Sequence, residues 1–314
     1  MFQRIRGALD GGRKFLVTTH IDPDGDALGS AFAMAFALTG LGKDAAVYLR
    51  DPIPYRYTFL PRPAPILHKV PENTYDTVVV LDCSSLARLG DEYGSVRRNR
   101  RIINIDHHEA GDPFGEINII DARASSAAEI LYLILKSLGV PFTFDIAANL
   151  YTAVMTDTGS FRYDNTTKLA FSICQEMTGF GVSPSSVAAE VYENHPRKRY
   201  ALLCLVLATI ETFHADRIAL AHVTGDMFAE TRTNREHTEG FVEYLKEIGG
   251  VEVACLIREL GAGKWKISMR SKGSVDVASV ARSFGGGGHR KAAGCVLEGD
   301  IETAKNILIG AFSL

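Results

Sequence analysis

The sequence predicts an α/β protein in which a domain with a mainly parallel sheet is followed by a second, smaller α/β domain. Near-continuous runs of Val, Ile and Leu indicate strands buried on both faces, which is typical of parallel sheets. These runs alternate with segments of helical pattern, and several of them end at an acidic residue or a histidine. Because open sheets bind ligands at the carboxyl ends of their strands, we expect those polar side chains to share one functional edge.

The elements of the first domain follow from this pattern in order. Strands are predicted over residues 15–19, 77–81 and 102–105, which end at His20, Asp82 and Asp106. Helices are predicted over residues 27–38, 126–138 and 147–155, and the last of these leads into Asp157. Six prolines between Pro52 and Pro71 indicate a long irregular connection between the first two strand units.

A second domain is predicted where a new strand pattern starts. Residues 197–213 have a helical pattern, and strands are predicted after them over 218–223, 251–257 and 265–269. A helix over 277–282 and four consecutive glycines at 285–288 precede a final strand and helix. We therefore predict a first domain over residues 1–190, a helical linker over 191–213 and a second domain over 214–314.

Composition limits the class of protein. The 314 residues are 46% hydrophobic and 23% charged with a net charge of −3, which describes a soluble globular chain of enzyme size. The first segment is basic without a sustained apolar run, so no signal or transit peptide is predicted and we expect a cytoplasmic protein. The most apolar stretch, 200–210, is far shorter than the roughly 20 residues that span a bilayer, and it predicts a buried helix. Five widely separated cysteines predict reduced thiols and no Cys-x-x-Cys zinc site.

The densest polar cluster lies between the first strand and the first helix of this pattern, and it consists of His20, Asp22, Asp24 and Asp26. A calcium loop starting at Asp22 would need glycine and glutamate where the chain has Ala27 and Ala33, so that site is excluded. A simpler alternative stays open for this segment alone, in which Asp26 caps the helix and the other acids are solvated.

Three further segments place polar residues at the same predicted edge: Asp82, then Asp106, His107 and His108, and finally Asp157. Each segment by itself is explained by a helix cap or a packed histidine pair. Their convergence on one edge favours metal ligation instead.

These motifs, together with the sequence GGGGHRKAAG near the C-terminus, resemble the DHH phosphoesterase family, and specifically its short members with a DHHA1 domain. The resemblance covers nearly the whole chain, so that the first domain corresponds to the DHH domain and the second to DHHA1. Within the family the chain looks most like the nanoRNase group, which implies hydrolysis of short oligoribonucleotides and removal of phosphate from pAp.

The resemblance also implies site residues. One metal would be held by His20, Asp24 and Asp82, and the other by Asp26, Asp82, His107 and Asp157, with Asp82 as the bridge. Asp22 and Asp106 would orient the ligands, and His108 would point to the substrate phosphate. Four ligand carboxylates and two neutral imidazoles balance the charge of two divalent cations. Oxygen-rich ligands with imidazoles favour manganese, with magnesium, cobalt and zinc as alternatives.

The second domain carries a basic segment. Residues 264–291 contain seven basic residues and one acidic residue. A solvated basic face and a flexible glycine linker are the alternatives to anion binding. Anion binding is favoured because exposed glycine N–H groups can bind a phosphate, and the guanidinium of Arg270 can bind a phosphate through two hydrogen bonds. The resemblance implies that the substrate's terminal nucleotide lies across a cleft from the metals, on Arg270, Ser271, Gly287, Gly288 and His289.

These observations predict a short RNA or small nucleotide as substrate, and they favour neither long nucleic acid nor a membrane. The basic segment offers only Trp265 and Phe284 for base stacking, whereas tight binding of long single strands uses several aromatics. A cyclic or linear dinucleotide phosphodiesterase and a non-catalytic nucleotide-binding regulatory protein stay open as alternatives. The sequence also leaves open whether the chain forms a homo-oligomer.

Overall fold

The computed structural model describes residues 2–70, 75–90, 94, 96, 101–109, 111, 113–261 and 263–312. The chain divides into two compact units, Met1–Asn194 and His195–Leu314. Both units are α/β, the first with a parallel sheet and the second with a mixed one, which confirms the predicted fold class. Pro71, at the end of the predicted irregular connection, lies outside the described residues.

The sheet of the first unit is parallel throughout. Its strands are β1 (Lys14–Thr18), β2 (Asp44–Tyr48), β3 (Ile66–Leu67), β4 (Thr77–Leu81), β5 (Arg101–Asp106) and β6 (Ile117–Ile120). Their order is β3-β2-β1-β4-β5-β6, so the chain runs outward from β1 and then returns to place β4 beside it. Such a reversal opens a crevice at the carboxyl ends of the two central strands.

The described residues of this unit form six α-helices: α1 (Phe2–Gly11), α2 (Gly25–Gly40), α3 (Ala127–Leu138), α4 (Phe144–Asp157), α5 (Lys168–Thr178) and α6 (Pro184–Ala188). The three predicted helices are confirmed as α2, α3 and α4. Side-chain caps fix where they begin, because Asp24, Ser126 and Thr143 each accept a hydrogen bond from a main-chain N–H of the first turn. The apolar faces of these helices pack in one core with the buried side chains of the sheet.

Helix α2 packs closely against α4, and this approach depends on glycine. A Cβ added at Gly29 would lie 2.5 Å from the main-chain oxygen of Asn149, which is closer than atoms can approach. Since α2 begins with Asp24 and Asp26 and α4 ends with Asp157, the same packing fixes the distance between these acids.

The second unit contains a six-stranded mixed sheet. Its strands are β7 (Glu211–Phe213), β8 (Ile218–Val223), β9 (Val253–Gly261), β10 (Lys264–Ser271), β11 (Gly287–His289) and β12 (Ala292–Glu298), in the order β11-β12-β10-β9-β8-β7. Strands β8 and β9 pair in parallel, and the other strand pairs among the described residues are antiparallel. The helices are α7 (Arg197–Leu207), α8 (Gly225–Thr231), α9 (Phe241–Lys246), α10 (Val277–Ser283) and α11 (Ile301–Gly310).

Two local predictions for this unit were wrong. The helix predicted to reach residue 213 ends at Leu207, and Glu211–Phe213 is an edge strand paired with β8. The last two of the four glycines begin strand β11 instead of extending a loop, because their main chain pairs with β12. Tyr200, in the stretch predicted to be a buried helix, is 46% exposed. None of the helices in the described ranges is both long and apolar enough to cross a membrane.

Candidate metal centre

The predicted polar residues lie at one edge of the first sheet, where neighbouring strands end. His20 follows β1, Asp82 follows β4, and Asp106 ends β5 before His107 and His108. Because β1, β4 and β5 are adjacent and parallel, their carboxyl ends lie side by side. The start of α2 adds Asp24 and Asp26, and the end of α4 adds Asp157.

Asp82 lies at the centre of this cluster and is buried. Its Oδ2 lies 3.3 Å from Nε2 of His20, and its Oδ1 lies 3.5 Å from Nε2 of His107. Asp82 therefore belongs to three groups whose possible ligand atoms lie within 4.8 Å of one another: one with His20 and Asp24, one with Asp26 and His107, and one with Asp106 and His108. The structure thus brings together the first implied set and three members of the second around Asp82, whereas Asp157 lies outside these groups, with its Oδ2 3.4 Å from Nε2 of His107.

The surroundings of Asp82 fit a cation. Its Oδ1 is buried, and no hydrogen bond to it is found among the described residues. The residue also has a positive φ of 53°, a strained main-chain conformation of the kind that is retained where function requires it. A buried carboxylate oxygen without a donor is costly unless a cation compensates it, so the residues fit the metal that the resemblance implied.

Main-chain carbonyls orient the two imidazoles. Nδ1 of His20 lies 2.7 Å from the oxygen of Ile21, and Nδ1 of His107 lies 3.3 Å from the oxygen of Ala124. A carbonyl can only accept, so each Nδ1 is the donor, and each Nε2 is directed toward the carboxylates, where a proton or a metal ion can bind it. The orienting role expected of Asp22 and Asp106 is therefore filled by carbonyls for these two rings.

Asp24 and Asp26 are held by helix N-termini. Asp24 is the N-cap of α2 and accepts from the N–H of Ala27, so the capping role considered for Asp26 belongs to Asp24. Asp26 instead reaches the N-terminus of α3, where it accepts from the N–H groups of Ala127 and Ala128 at 2.6 and 3.0 Å. These bonds leave both carboxylates in fixed positions at the edge of the sheet.

Burial and the repulsion between neighbouring negative charges shift the pKa values of the carboxylates in the cluster. Burial, with the negative charges of Asp82 and Asp157, raises the pKa of Asp26 well above its ordinary value. Burial likewise raises the pKa of Asp157 to about 7. Burial acts in the same direction on Asp82, but contacts with the imidazoles of His107 and His20 outweigh it and hold the pKa of Asp82 well below its ordinary value.

The imidazoles show the complementary effect. Burial lowers the pKa of His107, but the carboxylates of Asp157 and Asp82 outweigh burial and raise that pKa well above its ordinary value. Burial and the Arg88 guanidinium lower the pKa of His20, whereas Asp82 and Asp24 raise it and prevail. The cluster therefore attracts positive charge strongly, and protons and divalent cations compete for it.

Like His20 and His107, His108 lies near Asp82, with 3.5 Å between its Nδ1 and Oδ1 of Asp82, but it has two further partners. Its Nδ1 lies 2.7 Å from Oδ1 of Asp106, which is buried, and its Nε2 lies 3.3 Å from Nη1 of Arg88. Arg88 is not among the residues predicted from the sequence. A basic residue shortly after a strand that ends in an acidic residue is a weak signal by itself, because only the fold shows which way its side chain points.

Asp22, like Asp157, belongs to none of these groups of ligand atoms. It is exposed, and its main-chain N–H donates to Oδ2 of Asp51 at 2.9 Å. Its φ of 53° turns the chain between His20 and the start of α2. The structure therefore gives Asp22 a position in the turn beside the cluster.

The predicted substrate residues of the second unit lie on neighbouring strands of its sheet. Arg270 of β10 is opposite Ala292 of β12, and Ala292 is opposite His289 of β11. Directly opposed residues of antiparallel strands project to the same face, so Arg270 and His289 flank a small alanine on one side of the sheet. Arg270 donates from Nε to Glu243 at 3.0 Å, which fixes its guanidinium.

Ser271 and the glycines have structural roles in this arrangement. The hydroxyl of Ser271 is buried and donates to the oxygen of Val275. Gly288 has a φ of +138°, and a Cβ there would lie 2.5 Å from the oxygen of Ala292. The hairpin itself therefore requires glycine at this position, whatever the ligand. Gly287 is half-buried and pairs with Gly294.

Both units match protein-family models. The model of the DHH family, N-terminal domain, matches residues 14–156, and the model of the DHHA1 domain matches residues 217–313. The bifunctional oligoribonuclease and PAP phosphatase NrnA of Thermus thermophilus is 33% identical over 292 residues, which cover 92% of this chain and 86% of the relative.

Solved structures share the fold. An exopolyphosphatase-related protein from Bacteroides fragilis has a TM-score of 0.89 and 26% identity, and the match covers 99% of this chain and 94% of that chain. RecJ of Thermus thermophilus in complex with Mn²⁺ is 15% identical with a TM-score of 0.55, and the match covers 99% of this chain and 54% of RecJ. The second similarity is one of fold.

Proposed function

The chain belongs to the DHH family of phosphoesterases, and we propose that it hydrolyses short oligoribonucleotides to mononucleotides and removes the 3′-phosphate from pAp. The proposed substrates are those in the name of the Thermus thermophilus relative, to which this chain is similar over most of its length. Both substrates are small phosphate esters, so a single hydrolytic centre serves both.

The position of Asp82 carries this proposal. Its two carboxylate oxygens face His20 on one side and His107 on the other, so one buried residue lies between the two groups that contain these histidines. A shared carboxylate of this kind suits a pair of cations. Such a pair, when bound, supplies an activated water and stabilises charge on the attacking and leaving oxygens of an in-line displacement.

We propose two divalent cations per chain, with Mn²⁺ preferred and Mg²⁺, Co²⁺ or Zn²⁺ as alternatives. His20, Asp24 and Asp82 would hold one, and Asp26, Asp82, His107 and Asp157 the other. Ligands of this type, rich in oxygen and including two imidazoles, favour Mn²⁺. The nearby Cys83 does not add a thiolate, because burial raises the pKa of its thiol to about 12 and the thiol donates to the oxygen of Ser85.

We also propose that the second unit binds the substrate end that is not being cleaved. Arg270 offers a guanidinium fixed by Glu243, and His289 offers an aromatic ring on the same face of the sheet. A phosphate and a base are the two groups that such side chains bind. We assign the surrounding backbone at Ser271, Gly287 and Gly288 to the same subsite.

A panel of substrates tests the proposal. Initial rates are measured with Mn²⁺ on labelled RNAs of about two to five nucleotides, on a strand several times longer, and on pAp, pyrophosphate and a cyclic dinucleotide. We expect efficient hydrolysis of the short RNAs, release of inorganic phosphate from pAp, and sharply weaker action on the long strand. Asp82→Asn is the control for a contaminating nuclease and should be inactive on every substrate.

Each alternative has its own outcome in this panel. A preference for the long strand would make the chain a processive exonuclease, and a preference for pyrophosphate or the cyclic dinucleotide would replace the proposed substrates. Binding of nucleotides without turnover of any ester, with or without Mn²⁺, would indicate a non-catalytic regulatory protein.

A further inference from the structure

Arg88 is tied to two of the loops that form the metal centre. It lies in a short 3₁₀ helix, Leu86–Leu89, which follows Asp82 closely along the chain. Its main-chain N–H donates to the oxygen of Ser85 at 3.1 Å, and its own carbonyl accepts from the N–H of Ile21 at 2.8 Å. Ile21 is the residue after His20. The main chain of Arg88 is therefore fixed relative to both the β1 and the β4 ends.

The guanidinium of Arg88 has no acidic partner in the part of the chain that the structure describes, where no carboxylate oxygen lies within 4.0 Å of it. Other arginines of the protein are paired, for example Arg217 with Glu252 at 2.7 Å and Arg123 with Asp121 at 2.9 Å. Arg88 is also half-buried, so its charge is only partly solvated. A fixed, partly desolvated guanidinium without a counterion is suited to bind an anion.

The contact between Arg88 and His108 fixes the protons of the imidazole. Arginine has donors only, so His108 Nε2 must be the acceptor of the bond from Nη1 of Arg88. Nδ1 of His108 then carries the hydrogen and donates it to Asp106 at 2.7 Å. In this arrangement Nε2 of His108 is occupied by Arg88 and presents no proton to a substrate. The positive charge beside this imidazole is that of Arg88.

We propose that Arg88 is a catalytic residue that binds the nonbridging oxygens of the scissile phosphate, and that His108 and Asp106 are positioning residues that hold it. This inference rests on the proposed phosphoesterase function. Nη1 is used by His108, and the other N–H groups of the planar guanidinium supply donors for two phosphate oxygens. Negative charge grows on these oxygens in the transition state, so the interaction strengthens as the reaction proceeds.

The test compares Arg88→Ala and Arg88→Lys with Arg101→Ala. Arg101 is a suitable control because it begins β5, at the opposite end of the strand from Asp106, and pairs with Glu116. We expect Arg88→Ala to lower kcat/KM about 100-fold, mainly through kcat, while cooperative unfolding and Mn²⁺ stoichiometry stay unchanged. Arg88→Lys should recover only part of the loss, because an ammonium cannot form the paired hydrogen bonds. Arg101→Ala should behave as wild type.

Two further measurements separate binding of phosphate from a structural role. Added guanidinium ion should restore part of the activity of Arg88→Ala and none to Asp82→Asn. Calorimetry with inorganic phosphate on the Mn²⁺-loaded protein should show about tenfold weaker binding in Arg88→Ala. A double-mutant cycle with His108→Ala should be strongly non-additive, because His108 acts through Arg88.

The inference is overturned if Arg88→Ala keeps kcat/KM within about threefold of wild type, if it loses Mn²⁺, or if its affinity for phosphate is unchanged. Should Arg88→Ala fail to unfold cooperatively, Arg88→Met, which retains an aliphatic side chain, takes its place in every measurement. If wild type hydrolyses no phosphate ester, the proposed function fails, and the phosphate titration still decides whether Arg88 binds the anion.

Discussion

Nε2 of His107 lies 3.4 Å from Oδ2 of Asp157, although one residue follows a β-strand and the other ends a helix. The contact exists because α4 packs against α2, and α2 starts from the same edge of the sheet. The geometry of the candidate metal centre therefore depends on the packing of α2 on α4 as well as on the order of the strands.

Removal of the central carboxylate should abolish activity. Asp82→Ala takes away the only residue common to both predicted ligand sets, so two like charges would lose their shared counterion. We expect less than about a tenth of wild-type turnover and loss of bound Mn²⁺, with cooperative unfolding retained. Elemental analysis, turnover and thermal unfolding are measured on one preparation. Asp44→Asn, an exposed carboxylate at the amino end of β2, is the matched control and should leave all three unchanged. Substantial activity in Asp82→Ala would contradict the bridging role.

Metal affinity should increase with pH through the region around neutrality. Burial raises the pKa of Asp157 to about 7, so below that pH the metal-free protein holds a proton that must leave before this carboxylate binds a cation. The sign is therefore a weaker apparent affinity for Mn²⁺ as the pH falls below about 7. Calorimetry of Mn²⁺ binding in two buffers of different ionisation enthalpy counts the protons released. In Asp157→Asn, which cannot bind this proton, fewer protons should be released at acidic pH, and an unchanged number would contradict the assignment.

Arg270 should act on substrate binding more than on chemistry. Its guanidinium is expected to hold a phosphate away from the reacting bond, which contributes equally to ground state and transition state. We expect Arg270→Ala to raise KM about tenfold with kcat nearly unchanged. Glu243→Gln, which removes the charge that fixes Arg270, should raise KM by less. Lys264→Ala, at the other end of β10, provides the control. A large fall in kcat with KM unchanged would place Arg270 at the reacting phosphate instead.

The close packing of α2 on α4 should be sensitive to a single methyl group. Gly29→Ala forces a Cβ against the main-chain oxygen of Asn149 and should lower the free energy of unfolding by about 1–3 kcal/mol. We also expect weaker Mn²⁺ binding, because Asp24 and Asp26 move relative to Asp157. Gly40→Ala in the same helix meets no atom within 4 Å and should be neutral or stabilising by up to about 1 kcal/mol. Equal stabilities for the two variants in chemical denaturation would show that the helices can separate without cost.

The sequence by itself determined the strands that carry the site. The local composition of runs such as Thr77–Leu81 is sufficient to predict a strand, and the sequence directly shows which polar residue follows each strand. It could not reveal β2, whose Asp44–Tyr48 segment contains two alanines and becomes a strand through its pairing with β1. The edge strand Glu211–Phe213 was missed for the same reason, because pairing with β8 outweighs its local pattern.

Only the tertiary structure decided what each polar residue contacts. From the local sequence, either Asp24 or Asp26 could cap α2. In the structure Asp26 accepts a hydrogen bond from the N-terminus of α3, which is distant in sequence, and Asp24 is the residue that caps α2. The same holds for His108, since its partner Arg88 comes from the loop after another strand. Hydrogen bonds of this kind join groups whose distance is set by the packing of helices and strands, and a sequence pattern describes only the order of those groups along the chain.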